Sequence, residues 1–292
     1  MICYLCDGKM KNIHDGCRDN DKINVCECSS CGLVSLDSFD HITDDFYAEG
    51  NMRLGDVETW IQESVRDDTR RFEKLKTRLK DKSVLDFGSG AGGFCKLLRG
   101  VAQSVYAIEP DKETKSIYDS FGVSHYENFS QVPHDLKFDC ITAFHVFEHL
   151  TDPIATLNEM SDHLKDDGLI ILEYPNANDA LLTLYESDSF ANFTYWSCHT
   201  MLFNKQTTKM MVDKSKMDVI VIEGIQRYPL SNHLHWLSKD KPGGHEKWDF
   251  LNTEEIDRAY HAVLDKQDRC DTIWAELKKK NGVEIIGPQK IS

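Results

Sequence analysis

The sequence predicts an α/β fold, a doubly wound and mainly parallel sheet with a small metal-binding module ahead of it. Three observations carry this expectation. Short apolar runs at 83–87, 104–108, 138–143 and 168–174 alternate with helix-like stretches, the pattern of parallel strands joined by crossover helices. The first run ends in the glycine-rich segment Gly88-Ser89-Gly90-Ala91-Gly92-Gly93, where a strand must turn tightly into a helix. Two Cys-x-x-Cys pairs, Cys3/Cys6 and Cys28/Cys31, stand in the first 31 residues with metal-ligand spacing.

A chain of 292 residues accommodates one large α/β domain and a small appendage. Its 34 basic and 49 acidic residues give a net charge of -15, which repels phosphate backbones and anionic membranes and argues against nucleic acid as a substrate. No apolar run reaches the roughly 18 residues needed to span a bilayer, and Met1-Ile2-Cys3-Tyr4 lacks the basic flank and apolar stretch of a secretion signal. A cytoplasmic protein with no membrane insertion is expected. More than half of the ten cysteines fall in the first 31 residues at ligand spacing, so reduced thiolates fit better than disulfides.

Residues 1–36, rich in Cys, Asp and Gly, form the expected metal module, and 37–52 read as a linker. The catalytic domain is expected over 53–252. It opens with a charged helix over 53–80 that carries Val57, Trp60, Ile61, Val65, Phe72, Leu75 and Leu79 near helical period. After Pro175 the alternation lapses into a substrate-facing insertion at about 176–215, aromatic-rich to residue 204 and then helical. Strand candidates at 219–225 and 232–237 form an expected antiparallel edge. Residues 253–292 read as a terminal helix from Thr253 to Lys280, with Ile256, Tyr260, Val263 and Leu264 on one face, followed by a tail after Gly282.

The turn after Val84-Leu85-Asp86-Phe87 brings backbone N–H groups close to a ligand at a helix N-terminus, which suits a nucleotide-like cofactor. Glu109 ends the next strand about 20 residues on, where a carboxylate can accept from both ribose hydroxyls. Gly88, Gly90 and Gly93 also satisfy the dinucleotide fingerprint, so an NAD-dependent oxidoreductase stays open as an alternative. Asp86 favours S-adenosylmethionine, because a carboxylate there would repel a pyrophosphate and attract a sulfonium amino acid.

The stretch Phe138-Asp139-Cys140-Ile141-Thr142-Ala143-Phe144-His145-Val146-Phe147-Glu148-His149-Leu150 resembles the fourth strand and following turn of class I S-adenosylmethionine-dependent methyltransferases, and Gly168-Leu169-Ile170-Ile171-Leu172 resembles their fifth strand. The resemblance covers roughly residues 55–237. It implies a Rossmann-like, seven-stranded sheet with the last strand antiparallel. It also implies that Asp86, Gly88 and Gly90 cradle the methionine end of the cofactor, Glu109 holds the ribose and Pro110 flanks the adenine, with Asn128 or Phe129 capping the ring.

Cys3, Cys6, Cys28 and Cys31, each pair followed shortly by a glycine, suit tetrahedral zinc, and a closed four-thiolate site is structural. Cys26 could replace Cys28, and Cys17 or His14 a ligand of the first pair. A four-cysteine module joined to this kind of domain resembles bacterial sugar methyltransferases, in particular the shorter enzymes of polysaccharide gene clusters. That resemblance implies methylation of a hydroxyl on a nucleotide-linked or polysaccharide sugar. Methylation of carbon or nitrogen on a sugar or other small molecule is the alternative, as is a non-catalytic cofactor-binding zinc protein.

A hydroxyl acceptor benefits from a base. His145 and His149 follow the fourth strand, at the end of the sheet where open α/β folds bind ligands, and His199 lies in the aromatic insertion Asn192-Phe193-Thr194-Tyr195-Trp196-Ser197-Cys198-His199. These three are the catalytic candidates. Phe147-Glu148-His149-Leu150 also resembles ubiquinone-type O-methyltransferases, which implies a divalent metal at Glu148 and His149 as an alternative. Arg227 is a candidate clamp for a phosphate or carboxylate on the substrate.

Overall fold

The computed structural model describes residues 1–43, 46–50 and 55–280. Parts of the expected linker and the start of the expected first helix therefore lie outside the described residues, as does the tail. In chain order the elements are β1 (Met10–His14), β2 (Val25–Cys28), β3 (Val34–Leu36), α1 (Val57–Leu75), β4 (Ser83–Phe87), α2 (Gly93–Leu98), β5 (Ser104–Ile108), α3 (Lys115–Phe121), β6 (Ser124–Tyr126), β7 (Phe138–Phe144), α4 (Pro153–His163) and β8 (Leu164–Pro175). There follow α5 (Ala180–Thr183), α6 (Asp188–Thr194), β9 (Met201–Leu202), α7 (Lys205–Asp213), β10 (Met217–Ile225), α8 (Leu230–Lys239), α9 (Gly244–Lys247), α10 (Glu254–Lys266) and β11 (Thr272–Lys279).

Seven strands form the main sheet in the order β10-β11-β8-β7-β4-β5-β6. The β6-β5-β4-β7-β8 run is parallel, and β11 is antiparallel to both of its neighbours. Order reverses beside β4, so the carboxyl ends of β4 and β7 flank the crevice where such sheets bind ligands. Leu85, Ile141, Ile170, Leu172 and Ile273 on one face and Val84, Val105, Cys140, Ile171 and Trp274 on the other are buried, as strands covered by helices on both faces require.

Two element readings are corrected. Residues 232–237 are helical, within α8, because Asn232, His233, His235 and Trp236 recur at helical spacing on the buried face while Leu234 and Leu237 are exposed. The antiparallel partner of the edge strand β10 is instead β11, in a stretch that reads in sequence as a helix to Lys280; α10 stops at Lys266. Thr272-Ile-Trp-Ala-Glu-Leu is buried on both faces between β8 and β10, so it lacks the two-residue alternation that marks a half-exposed strand. Residues Thr272–Lys279 are thus part of the sheet.

The N-terminal module is a second sheet, β1-β2-β3-β9, whose last strand comes from the insertion. Val25, Val34 and Leu36 pack with Ala177, Tyr195 and Leu202, and the Tyr4 hydroxyl donates to the Asp152 carboxylate, 2.5 Å away at the start of α4. Module and catalytic domain share one core.

Candidate active site

The turn after β4 is built on conformations a side chain would resist. Gly88 and Gly90 have φ of +67° and +56°. A Cβ on Gly88 would collide with Val146, and one on Gly90 would lie 2.6 Å from the Trp60 indole. Glu109, 7% exposed at the end of β5, accepts from the Gly90 N–H at 2.8 Å and the Asp111 N–H at 3.0 Å, tying the two strand ends together.

Two cavities meet at this turn. One of about 310 Å3 runs past Phe87, Gly88, Glu109, Pro110 and Asn128 to Tyr47 and Leu150. The other, about 300 Å3, is walled by Trp60, Glu63, Asp67, Asp68, Asp86 and Gly90. Burial raises Asp86 to about 7, against the pull of a 2.6 Å hydrogen bond from the Thr142 hydroxyl. Burial also raises Asp68 to about 6, although Arg71 counteracts it. Arg71 and Arg227 also line this wall, paired with Asp68 and Asp67, which leaves Asp86 and Glu63 as its carboxyl groups outside those pairs, suited to a ligand bringing an ammonium or sulfonium.

Most of the expected cofactor residues come together here: Gly88, Glu109, Pro110 and Asn128 in the first cavity, and Asp86, Gly88 and Gly90 in the second. Phe129 does not. It is buried, stacked on Phe87 at 5.2 Å and on His163 at 5.3 Å, and it supports the cavity floor from behind. Sequence reasoning missed Trp60 and Tyr47. Trp60 had been counted among the core residues of a charged helix, and nothing in a linker singles out one tyrosine.

Beyond these cavities lies a third, of about 330 Å3, with Phe190, Phe193, Trp196, Tyr228 and Trp236 among its walls. His145 and His149 line all three cavities, and His199 lines the third. His145 sits just past β7 with φ of +55°, an uncommon backbone for a residue with a side chain, held by its N–H bond to the Glu173 carbonyl at 2.6 Å. Its Nδ1 lies 3.2 Å from Glu148 Oε1, and its Nε2 accepts from the Arg227 guanidinium at 2.9 Å.

Arg227, which lines two of the cavities, is ion-paired with Asp67. Arg70 and Arg71 of α1 both reach Glu173, at 2.8 and 2.7 Å. Burial opposes ionisation of Glu173, yet Arg71 and Arg70 hold it well below the carboxylate range. This buried network spans α1, β8 and the segment after β10. It was invisible in sequence because its members lie about 100 to 160 residues apart.

His149 and His199 are close neighbours, with ring centroids 5.0 Å apart. Burial lowers His149, and it lowers His199 to about 4 with His149 adding to the effect, so both rings are neutral at pH 7. Glu148 lies 1% exposed beside them. Burial works against its charge, but the His145 hydrogen bond and the neighbouring rings bring it down to about 2.

At the opposite end of the shared core, Cys3, Cys6, Cys28 and Cys31 cluster with all four sulfurs within 4.8 Å of one another. The Cys3–Cys31 and Cys6–Cys28 sulfurs are 3.5 and 3.4 Å apart, near the ~3.8 Å edge of a tetrahedron with ~2.3 Å zinc–sulfur bonds. Backbone N–H groups of Leu5 and Ser30 point at Cys3 and Cys28. Cys17, Cys26 and His14 are outside the cluster.

Residues 57–217, more than half of the chain, match the family described as methyltransferase domain. The chain is 29% identical over 110 residues to the "Probable S-adenosylmethionine-dependent methyltransferase Rv3030" of Mycobacterium tuberculosis, covering 36% of this chain and 40% of that protein. A similarly named protein of Mycolicibacterium smegmatis is 27% identical over 110 residues, 36% and 42% of the two chains. The match thus spans less than half the length of these relatives. Among solved structures, a SAM dependent methyltransferase from Archaeoglobus fulgidus has a similar fold, with a TM-score of 0.50, 19% identity and coverage of 81% of this chain and 100% of that one. A SAM-dependent methyltransferase of Thermotoga maritima has the same TM-score at 18% identity, over 80% and 98% of the two chains. With the sheet order, the glycine turn and the family match in agreement, the chain belongs to the methyltransferase domain family.

Proposed function

We propose that the protein transfers the methyl group of S-adenosylmethionine to a hydroxyl of a small polar acceptor, a nucleotide-linked or polysaccharide sugar. The observation that carries this reading is the position of His145 and His149, which line both cavities at the glycine turn and the aromatic cavity beyond. The residues fit the cofactor. Pro110, Asn128 and Leu150 line an adenosine-sized slot beside Glu109, and Asp86 with Glu63 on the second cavity's wall suits the ammonium and sulfonium of the methionine end. When bound, the cofactor supplies an electrophilic methyl whose carbon–sulfur bond breaks with the electron pair left on sulfur.

The protein's part is alignment and proton removal. His145, His149 and His199 are the candidate bases, and their hydrogen bonds rank them. His145 Nε2 is already engaged by Arg227. His149 Nδ1 faces the Cys198 carbonyl at 2.8 Å and must donate to it, which leaves the lone pair on Nε2 to take the acceptor's proton. Aromatic walls suit the apolar faces of a sugar ring.

One observation favours a second reading, an amine acceptor. Asp179, 5% exposed, lines the aromatic cavity and is raised to about 8 by burial and then by Asp271, so it gains from a cationic partner.

We further propose that Cys3, Cys6, Cys28 and Cys31 hold one structural zinc ion and that the protein acts in the cytoplasm. No helix among the described residues is long and apolar enough to cross a membrane. The decisive experiment is calorimetry with S-adenosylmethionine, S-adenosylhomocysteine and NAD, followed by methyl-transfer assays on sugar and amine acceptors. Binding of NAD alone would replace this reading with an oxidoreductase, and cofactor binding without transfer to any acceptor would favour a non-catalytic zinc protein.

A further inference from the structure

We propose a second metal site, for an ion of the zinc class, at His149, Cys198 and His199 on the floor of the aromatic cavity. One ligand atom from each lies within 4.8 Å of the other two. Three independent features make this more than a chance cluster.

Both imidazoles are set as ligands. His149 Nδ1 lies 2.8 Å from the Cys198 carbonyl and His199 Nδ1 lies 3.1 Å from the Thr194 carbonyl. A carbonyl only accepts, so each Nδ1 carries the proton and each Nε2 keeps its lone pair. A backbone carbonyl on the far nitrogen is the usual outer support of a metal-bound histidine. Glu148 supplies the second feature. It is 1% exposed, its Oε1 lies 3.9 Å from His149 Nε2, and its Oε2 is buried with no hydrogen-bond partner among the described residues. A buried, unanswered carboxylate oxygen costs free energy unless a cation or donor meets it. The third feature is access. His149 and His199 line the cavity, while Cys198 is 1% exposed and sits behind them.

Two imidazoles and one thiol form a borderline-soft donor set, which selects zinc or a neighbouring transition metal over magnesium or calcium. Binding deprotonates Cys198 and releases that proton to solvent. Three protein ligands leave a fourth position facing the cavity, open to water or acceptor. The ion would use the Nε2 lone pair of His149, so occupancy and a base role for that nitrogen exclude each other. The site itself does not depend on the methyl-transfer reading.

The test counts metal in the full-length protein. Wild type, Cys198→Ala, His199→Ala and Cys28→Ser are equilibrated with zinc and dialysed. Zinc per chain is then measured by mass spectrometry, with circular dichroism to certify folding. Wild type should hold about one equivalent more than Cys198→Ala or His199→Ala, and Cys28→Ser should lose a different equivalent. With cobalt in place of zinc, Cys198→Ala should lose one thiolate charge-transfer contribution and keep the rest. If one variant fails to fold, the other carries the comparison. Equal zinc in wild type and either folded variant overturns the proposal, whatever the outcome of cofactor binding or methyl-transfer assays.

Discussion

The Arg227 guanidinium donates to Nε2 of His145 across 2.9 Å, a contact between the segment after β10 and the end of β7. A guanidinium has no lone pair to offer, so that nitrogen accepts and the imidazole proton rests on Nδ1, 3.2 Å from Glu148. Nitrogen NMR of the neutral histidine rings should find His145 as the Nδ1–H tautomer. An Nε2–H ring would contradict the contact.

Breaking the other side of Arg227 should be costly. Arg227→Met leaves the largely buried Asp67 carboxylate with Arg70 as its remaining partner, and losing the charge-assisted bonds to Arg227 costs about 1.5 to 3 kcal/mol. Asp67→Asn in the same chain should recover part of that loss. Urea denaturation of the single and double variants measures both, and equal stability of Arg227→Met and wild type would show that the pair is not formed.

Glu109 and Phe129 should separate cofactor binding from core packing. Glu109→Gln removes the charge that the Gly90 N–H and any ribose hydroxyl address, and charge-assisted bonds of about 1.5 to 3 kcal/mol predict at least a tenfold loss of S-adenosylhomocysteine affinity. Phe129→Ala should lower stability by about 3 kcal/mol and leave affinity within a few-fold, because the ring packs on Phe87 and His163 and does not line the cavity. Calorimetry and thermal melting together decide this, and the reverse pattern would place Phe129 in the binding surface.

His233 should give the protein an acid-side instability. It is 1% exposed, with Nδ1 2.7 Å from the Tyr260 hydroxyl and Nε2 facing Gln226, and burial lowers it from 6.5 to about 4. Between those values the unfolded chain binds a proton that the folded chain refuses. Stability from this group is therefore complete above pH 6.5 and is lost as pH falls through about 4. Replacing it by His233→Gln should flatten the pH dependence of unfolding in that window by up to ~1.4 kcal/mol per pH unit. An unchanged slope would mean that His233 is not buried as a neutral ring.

Removing one thiolate of the cysteine cluster should unsettle more than the module. Cys28 and Cys31 are packed in the same core as Met201, Phe203 and Leu157. Cys28→Ser should abolish zinc retention at this site and lower the melting temperature of the whole chain, since metal binding there is folding free energy. Metal analysis with a melting curve checks it, and full zinc with an unchanged melt would sink the structural-zinc reading.

Much of the fold was legible locally. The strands β4, β5, β7 and β8, the glycine turn and the carboxylate at the end of β5 are each written in a few contiguous residues, because strand burial and a left-handed turn impose their demands at fixed, short spacing. The four zinc-spaced cysteines were legible for the same reason, and the structure separates them from Cys26, which stands outside the sulfur cluster although it is buried. The terminal strand misled because it is apolar on both faces, and α8 misled because its buried face is mostly polar, with Asn232, His233 and His235 inside while Leu234 and Leu237 are exposed.

What only tertiary structure decided is which distant groups meet. Glu173 and Arg227 converge on His145, with Asp67 paired to Arg227, and Cys198 and His199 come from the insertion to stand beside Glu148 and His149. Sequence alone determined the cofactor turn and the cysteine pairs, since turn and ligand chemistry act over a handful of residues. Chain folding decided the charges and lone pairs of the acceptor end, since those depend on burial and on partners set by packing across the sheet.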